Sequence, residues 1–92
     1  MSGERIRIDD LARPVLTDAQ RASIAAAGKV ERAPVEALHL AEAALAADPR
    51  HRGALEASLA AHRRLLAVSD NFWETRWLED RIRTLQRELA EP

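Results

Sequence analysis

Residues 71–89 read NFWETRWLEDRIRTLQREL and decide the fold of this 92-residue chain. Apolar residues recur there at three- and four-residue intervals, the spacing that places side chains on one face of an α-helix. Asn71 stands three residues before Glu74, a pattern typical of a helix N-terminus with reciprocal capping. The stretch therefore predicts a long amphipathic helix whose apolar stripe faces another helix and consists of Trp77/Leu78, Ile82, Leu85 and Leu89.

Three further helices are predicted before this one. The spacing of Thr17 and Gln20 matches a capping box, so the first helix is expected to run from Thr17 to about Ala27. Gly28 then ends it as a left-handed cap. The second helix begins near Pro34, because a residue without an amide proton suits the first turn.

The third helix is expected to follow the second without a long loop. Asp48 is interpreted as its N-cap and Pro49 as its first residue, and the helix continues to about Val68. Loops of about two to four residues make successive helices antiparallel neighbours. Its apolar stripe consists of Leu55, Leu59, His62 and Leu66.

The predicted fold class is all-α: a small antiparallel helical bundle or a tetratricopeptide-like α-hairpin stack of about four helices. Residues 17–92 form the helical association domain, and residues 1–16 form an irregular N-terminal arm. Within the arm, Arg5-Ile6-Arg7-Ile8 alternates in the strand period, but a lone strand has nothing to pair with in a helical protein.

Composition and charge argue against several classes of function. Fourteen basic and 15 acidic side chains give a net charge of −1, which argues against a nucleic-acid partner, since phosphate binding needs a positive surplus. No apolar run approaches the length of a membrane span, and no signal-peptide core stands at the N-terminus, so a cytoplasmic protein without a membrane partner is expected. A chain this short buries a small fraction of its surface on folding and is only marginally stable as a monomer, which favours association with a partner.

No catalytic, cofactor or metal site is predicted. The chain has no cysteine, which excludes thiolate chemistry and disulfides. His39, His51 and His62 do not follow a metal-binding spacing, and structural or solvated roles are expected for them. The serines lack both a neighbouring base and a Gly-x-Ser-x-Gly elbow. We therefore expect a protein that is not an enzyme and has no cofactor.

The aromatic residues are Phe72, Trp73 and Trp77, and they allow two interpretations. In the preferred one, Trp73 and Trp77 belong to the core and cap the helical stack. We expect Trp77→Ala to destabilise or dissociate the protein by about 3 kcal/mol or more, as truncation of a buried aromatic does. In the other, they anchor an interface, since tryptophan is enriched at binding hot spots.

Residues 34–49 (PVEALHLAEAALAADP), the segment Ser69-Asp70-Asn71-Phe72-Trp73-Glu74 and the pair Trp77-Leu78 carry a resemblance to a known family. They are similar to the dimerisation region that follows the catalytic domain of alkyl-sulfatase-type proteins of the metallo-β-lactamase fold. The similarity covers about residues 30 to 90. The Ala-Leu-Ala-Ala-Asp-Pro part also resembles tetratricopeptide repeats.

The resemblance implies a helical, repeat-like dimerisation module. Sulfatase activity is not implied, because these 92 residues contain neither a metallo-β-lactamase domain nor its His/Asp ligands. The expected partner is a second copy of the chain, in a homodimer, or a larger protein such as a metallo-β-lactamase-fold hydrolase. Two alternatives stay open: an accessory or regulatory subunit of another enzyme, and a tetratricopeptide-like peptide-binding adaptor. The predicted interface residues are Leu55, Leu59, Phe72, Trp73, Trp77, Leu78, Ile82, Leu85 and Leu89.

Overall fold

The computed structural model describes residues 16–91, which form four α-helices and so confirm the all-α class. Nearly all of the predicted N-terminal arm lies outside the described residues. The helices are α1 (Asp18–Lys29), α2 (Pro34–Ala47), α3 (Arg52–Val68) and α4 (Phe72–Ala90).

The predicted N-cap residues Thr17 and Asn71 are confirmed, but reciprocal capping is present only at the start of α1. At α1, the Gln20 amide donates to Thr17 Oγ1 at 3.1 Å, and the Thr17 amide donates to Gln20 Oε1 at 2.7 Å. At α4, the Glu74 amide donates to Asn71 Oδ1 at 3.0 Å. Each bond satisfies a backbone donor that the first turn of a helix leaves free.

The predicted end of α1 at Gly28 is wrong. The helix continues through Gly28 to Lys29, and Gly28 does not have a positive φ. The continuation brings Val30 into a buried cluster with Ala37 and Ala61. Burial of that side chain outweighs the weak preference of glycine for a left-handed cap.

The predicted start of α3 at Asp48 and Pro49 is also wrong. The helix begins at Arg52, and His51 is its N-cap, with His51 Nδ1 accepting from the Ala54 amide at 3.2 Å. Asp48 instead ends α2, because its amide donates to a carbonyl in the last turn of that helix. Its carboxylate accepts from the Arg50 amide at 3.3 Å, a bond typical of an Asx-turn.

Small side chains form the core where α1, α2 and α3 meet. Each of these helices packs against both of the others. A Cβ built on Gly53 would lie 2.7 Å from Ser23 Oγ, so the α1–α3 approach is set by the missing side chain. The core there is built largely from alanines that are wholly buried: Ala26, Ala37, Ala41, Ala44, Ala54 and Ala61.

Helix α4 packs differently, since among the described helices it contacts α3 alone. Leu78, Ile82 and Leu85 are buried on the side of α4 that faces α3. At its C-terminal end, Arg52 donates to the carbonyl oxygen of Leu89 at 3.0 Å, which ties the last turn of α4 to the start of α3. Among the described helices, α4 therefore joins the core of α1, α2 and α3 through α3 alone, and we call this contact the α3–α4 seam.

Candidate association surface

The turn between α3 and α4 fixes the position of the aromatic residues. The Ser69 amide donates to the carbonyl oxygen of Leu66 at 3.2 Å, which ends α3. The hydroxyls of Ser69 and Thr75 share a hydrogen bond of 3.0 Å across the turn. With α4 beginning at Phe72, the three aromatic side chains fall in its first two turns.

Phe72, Trp73 and Trp77 are exposed and form what we call the aromatic patch. Their exposed fractions are 63%, 78% and 53%. At 150–250 Å² for each aromatic side chain, the patch presents roughly 400 Å² to solvent. The prediction that Trp73 and Trp77 belong to the core is therefore wrong. Leu78 takes the position that faces α3. A rotation of about 100° per residue turns Trp73 towards solvent and leaves Trp77 at the border of the α3–α4 contact, with one side of its ring exposed.

Contacts within the patch give its rings a defined orientation. The Phe72 and Trp73 rings meet nearly edge to face, with centroids 5.3 Å apart and planes at 75°. The guanidinium of Arg76 lies 5.9 Å from the centroid of the Phe72 ring, within the range of a cation–π contact. Side chains held in this way lose little conformational entropy on binding.

An apolar cleft lies next to Trp77, and we call it the Trp77 cleft. It has a volume of about 410 Å³. Helices α2 and α4 do not contact each other in the described part of the chain, so the space between them stays open over α3. The cleft is lined by Val35, Leu65, Glu74, Trp77 and Leu78. Glu74 supplies a carboxylate in an otherwise apolar lining.

His62 lies beside the cleft and is buried. Its exposed fraction is 1%, and its ring centroid is 5.7 Å from that of Trp77. His62 Nδ1 lies 2.7 Å from the carbonyl oxygen of Ser58, while Nε2 has no hydrogen-bond partner among the described residues. Burial lowers the pKa of His62; the bond to Ser58 raises it and the charge of Arg81 lowers it. The ring is therefore neutral at pH 7 and donates from Nδ1.

The structure separates the predicted interface residues into three groups. Phe72, Trp73 and Trp77 lie on the surface. Leu59 and Leu89 are half-buried. The remaining four are buried within the chain's own α3–α4 seam and are unavailable to a partner in this conformation: Leu55, Leu78, Ile82 and Leu85.

Sequence reasoning missed two exposed apolar residues near the patch. Val35, in the first turn of α2, is half exposed and lines the Trp77 cleft. Val68, at the end of α3, is also exposed. Position at a helix end is the signal that marks both residues, since terminal turns are covered by fewer neighbours.

Within residues 16–91, no helix is both long and apolar enough to cross a bilayer, and no three His, Asp or Glu side chains are grouped as metal ligands. The sequence matches no family model, and neither the curated proteins nor the solved structures give a significant match.

Proposed function

We propose that this chain is a non-catalytic helical association module that forms a homodimer through the aromatic patch and the Trp77 cleft. The observation that carries the proposal is the exposure of Phe72, Trp73 and Trp77 on one end of α4. The largest exposed apolar patch of a soluble protein is often a binding site, and patches of a few hundred Å² fall in this class. Tryptophan also contributes more to binding hot spots than most residue types.

The surface has the features of a self-complementary contact. In a two-fold dimer, the same patch of each copy meets the other. Trp73 projects into solvent one turn before Trp77, which forms a wall of the Trp77 cleft. The projecting indole of each copy can therefore enter the cleft of the other. There its N–H group would meet the Glu74 carboxylate, which supplies the acceptor that a buried indole needs.

The available area favours a dimer that dissociates on dilution. A stable complex buries about 800 Å² on each partner. The aromatic patch, together with Val35 and Val68, provides on the order of 600 Å². Interfaces at this low end of the size range are typical of weak, transient complexes, so we expect self-association in the micromolar range.

The resemblance to the alkyl-sulfatase dimerisation region points in the same direction. Its most particular segment, Ser69 to Leu78, contains the whole aromatic patch. We do not extend the resemblance to hydrolysis. A larger partner, such as a metallo-β-lactamase-fold hydrolase, would use the same patch, and the experiment below distinguishes it from a second copy.

A second candidate is a tetratricopeptide-like adaptor, and one observation favours it. Helix α1 packs on α3 as well as on α2, as successive hairpins do in helical repeats. An open cleft of about 490 Å³ lies between α1 and α3, with Ile24 exposed at its edge. Two hairpins give a short groove, because such arrays normally need three repeats.

Native mass at several concentrations tests the proposal. We expect light scattering to give twice the 10.2 kDa chain mass at high concentration. Trp73→Ala removes both symmetry-related indoles and should raise the dissociation constant about a thousandfold, the effect of losing two hot spots of about 2 kcal/mol each. Ile24→Ala is the matched control, since it removes an exposed apolar side chain from α1, and it should dimerise like the wild type.

Two results would contradict a homodimer formed through the aromatic patch. A monomer at every concentration would leave the patch to a different protein, which a pull-down comparing wild type with Trp73→Ala would identify. A dimer that Ile24→Ala weakens and Trp73→Ala does not would place the contact at the α1–α3 cleft.

A further inference from the structure

His62 is the buried titratable side chain closest to the aromatic patch. It lies on α3 with 1% of its surface exposed, and its ring packs against that of Trp77 at 5.7 Å and 41°. Trp77 has one side exposed and the other against this ring. Any change in the space or charge at His62 therefore reaches the association surface through a direct ring contact.

The hydrogen bonds of His62 select one tautomer of its neutral ring. A carbonyl oxygen only accepts, so the 2.7 Å contact with Ser58 requires a proton on Nδ1. The Ser58 hydroxyl, at 3.4 Å, adds a weaker contact to the same nitrogen. Nε2 is then left with a lone pair and no partner among the described residues. A second proton, on Nε2, would place an imidazolium in this site without an acceptor for its new N–H.

The charged groups around the ring do not supply that acceptor. Glu42 from α2 favours the charged form and Arg81 from α4 opposes it, and both effects are smaller than that of burial. Helix α1 packs against α3 through small residues, Ala19 on Ala54 and Ala26 on Ala57. The imidazolium can reach water or the Glu42 carboxylate only if the ring moves, and Trp77 lies against the ring.

We infer that His62 is a pH-sensitive positioning residue: its neutral ring holds Trp77 in place on α3, and protonation in mild acid releases Trp77 and weakens association through the aromatic patch. The part of this inference that concerns association rests on the proposed function. The part that concerns the position of Trp77 does not.

The direction of the effect follows from linkage. Because burial lowers the pKa of His62, the unfolded chain takes up the proton near pH 6.5 and the folded chain only at lower pH. The stabilising contribution of the neutral ring is complete above pH 6.5 and falls as the pH drops below it. One proton changes the folding equilibrium by at most tenfold per pH unit.

Tryptophan fluorescence between pH 7.5 and 5.0 tests the release of Trp77. Trp73→Phe leaves Trp77 as the sole tryptophan of the chain. A second change, His51→Asn, removes another histidine and keeps a side-chain acceptor for the Ala54 amide at the start of α3. In this background we expect the Trp77 emission to change with a single midpoint below pH 6.5. Adding His62→Gln should remove that step, and adding His62→Phe should do the same if the glutamine variant does not fold.

Native mass at pH 7.5 and 5.5 tests whether protonation of His62 weakens association, in chains that retain Trp73. For His51→Asn we expect the dimer dissociation constant to rise about tenfold at the lower pH, and for His51→Asn/His62→Phe we expect no change. A Trp77 emission step that persists without His62, or no step with it, would overturn the inference. A chain that is monomeric at both pH values but shows the His62-dependent step would refute the homodimer and retain His62 as the residue that positions Trp77.

Discussion

The core formed by α1, α2 and α3 is packed through small side chains, whereas the α3–α4 seam is packed through large ones. In the core, alanines and a glycine let three backbones approach closely, and larger side chains such as Leu40 and Leu45 are only partly buried against them. In the seam, large aliphatic residues such as Leu78 and Leu85 fill the contact on one side of α4. The other sides of α4 stay free for charged and aromatic residues. Close packing by small residues gives a rigid support, and one-sided packing leaves a surface for binding.

Leu78→Ala should have the largest effect on stability and would break the seam. Leu78 is 2% exposed, and truncation of a buried leucine costs about 3 kcal/mol through lost burial and the cavity left behind. Chemical denaturation gives the free energy of unfolding. A loss below about 1 kcal/mol would mean that the seam collapses around the change or is not formed as described.

Two glycine-to-alanine substitutions test whether the close approach of helices in the core constrains the residue at the contact. Gly28→Ala meets no atom within 4 Å and should stabilise the protein by about 0.5–1 kcal/mol, because alanine favours the helix. Gly53→Ala places its methyl group 2.7 Å from Ser23 Oγ and 3.2 Å from an atom of His51. It should be less stable than Gly28→Ala by about 1–2 kcal/mol.

The double variant Ser23→Ala/Gly53→Ala checks the cause of this difference. Removal of the hydroxyl relieves the shorter contact, so we expect thermal melting to recover part of the loss. Equal stability of Gly28→Ala and Gly53→Ala would show that the close approach of α1 and α3 does not constrain position 53.

Trp73→Ala should have the smallest effect on the free energy of unfolding, within about 0.5 kcal/mol, because Trp73 is the most exposed of the three aromatics. Its effect on self-association is expected to be far larger. Denaturation of dilute, monomeric protein separates the two quantities. A loss of stability comparable to that of Leu78→Ala would contradict the conclusion that Trp73 belongs to the association surface and not to the packed interior.

Local sequence rules predicted the helices better than their boundaries. The side-chain caps at Thr17 and Asn71 depend on residues within one turn, and both were found from spacing alone. The start of α3 was missed because Asp48 and His51 are both able to cap, and only the structure shows that Asp48 closes a turn. The end of α1 was missed because it depends on the burial of Val30, a tertiary effect.

The exposure of the aromatic residues could be predicted in part from the sequence. Trp73 lies five residues before Leu78, which places it on the opposite side of the helix, so the spacing already argued against a core position. The Trp77 cleft was not predictable, because it depends on the separation of α2 and α4. The burial of His62 against Trp77 requires the pairing of α3 with α4, which a single sequence does not specify.

The dependence of α4 on α3 alone has a consequence for how the molecule opens. A helix held by one neighbour can detach without disturbing the other three, so it forms a separate cooperative unit in the native state. Backbone amides of α4 should exchange with deuterium through this partial opening, at a lower free energy than those of α1, α2 and α3. Within residues 16–91, proteases should likewise cut first near Ser69–Asn71, releasing the segment that bears the aromatic patch while the alanine-packed helices stay folded.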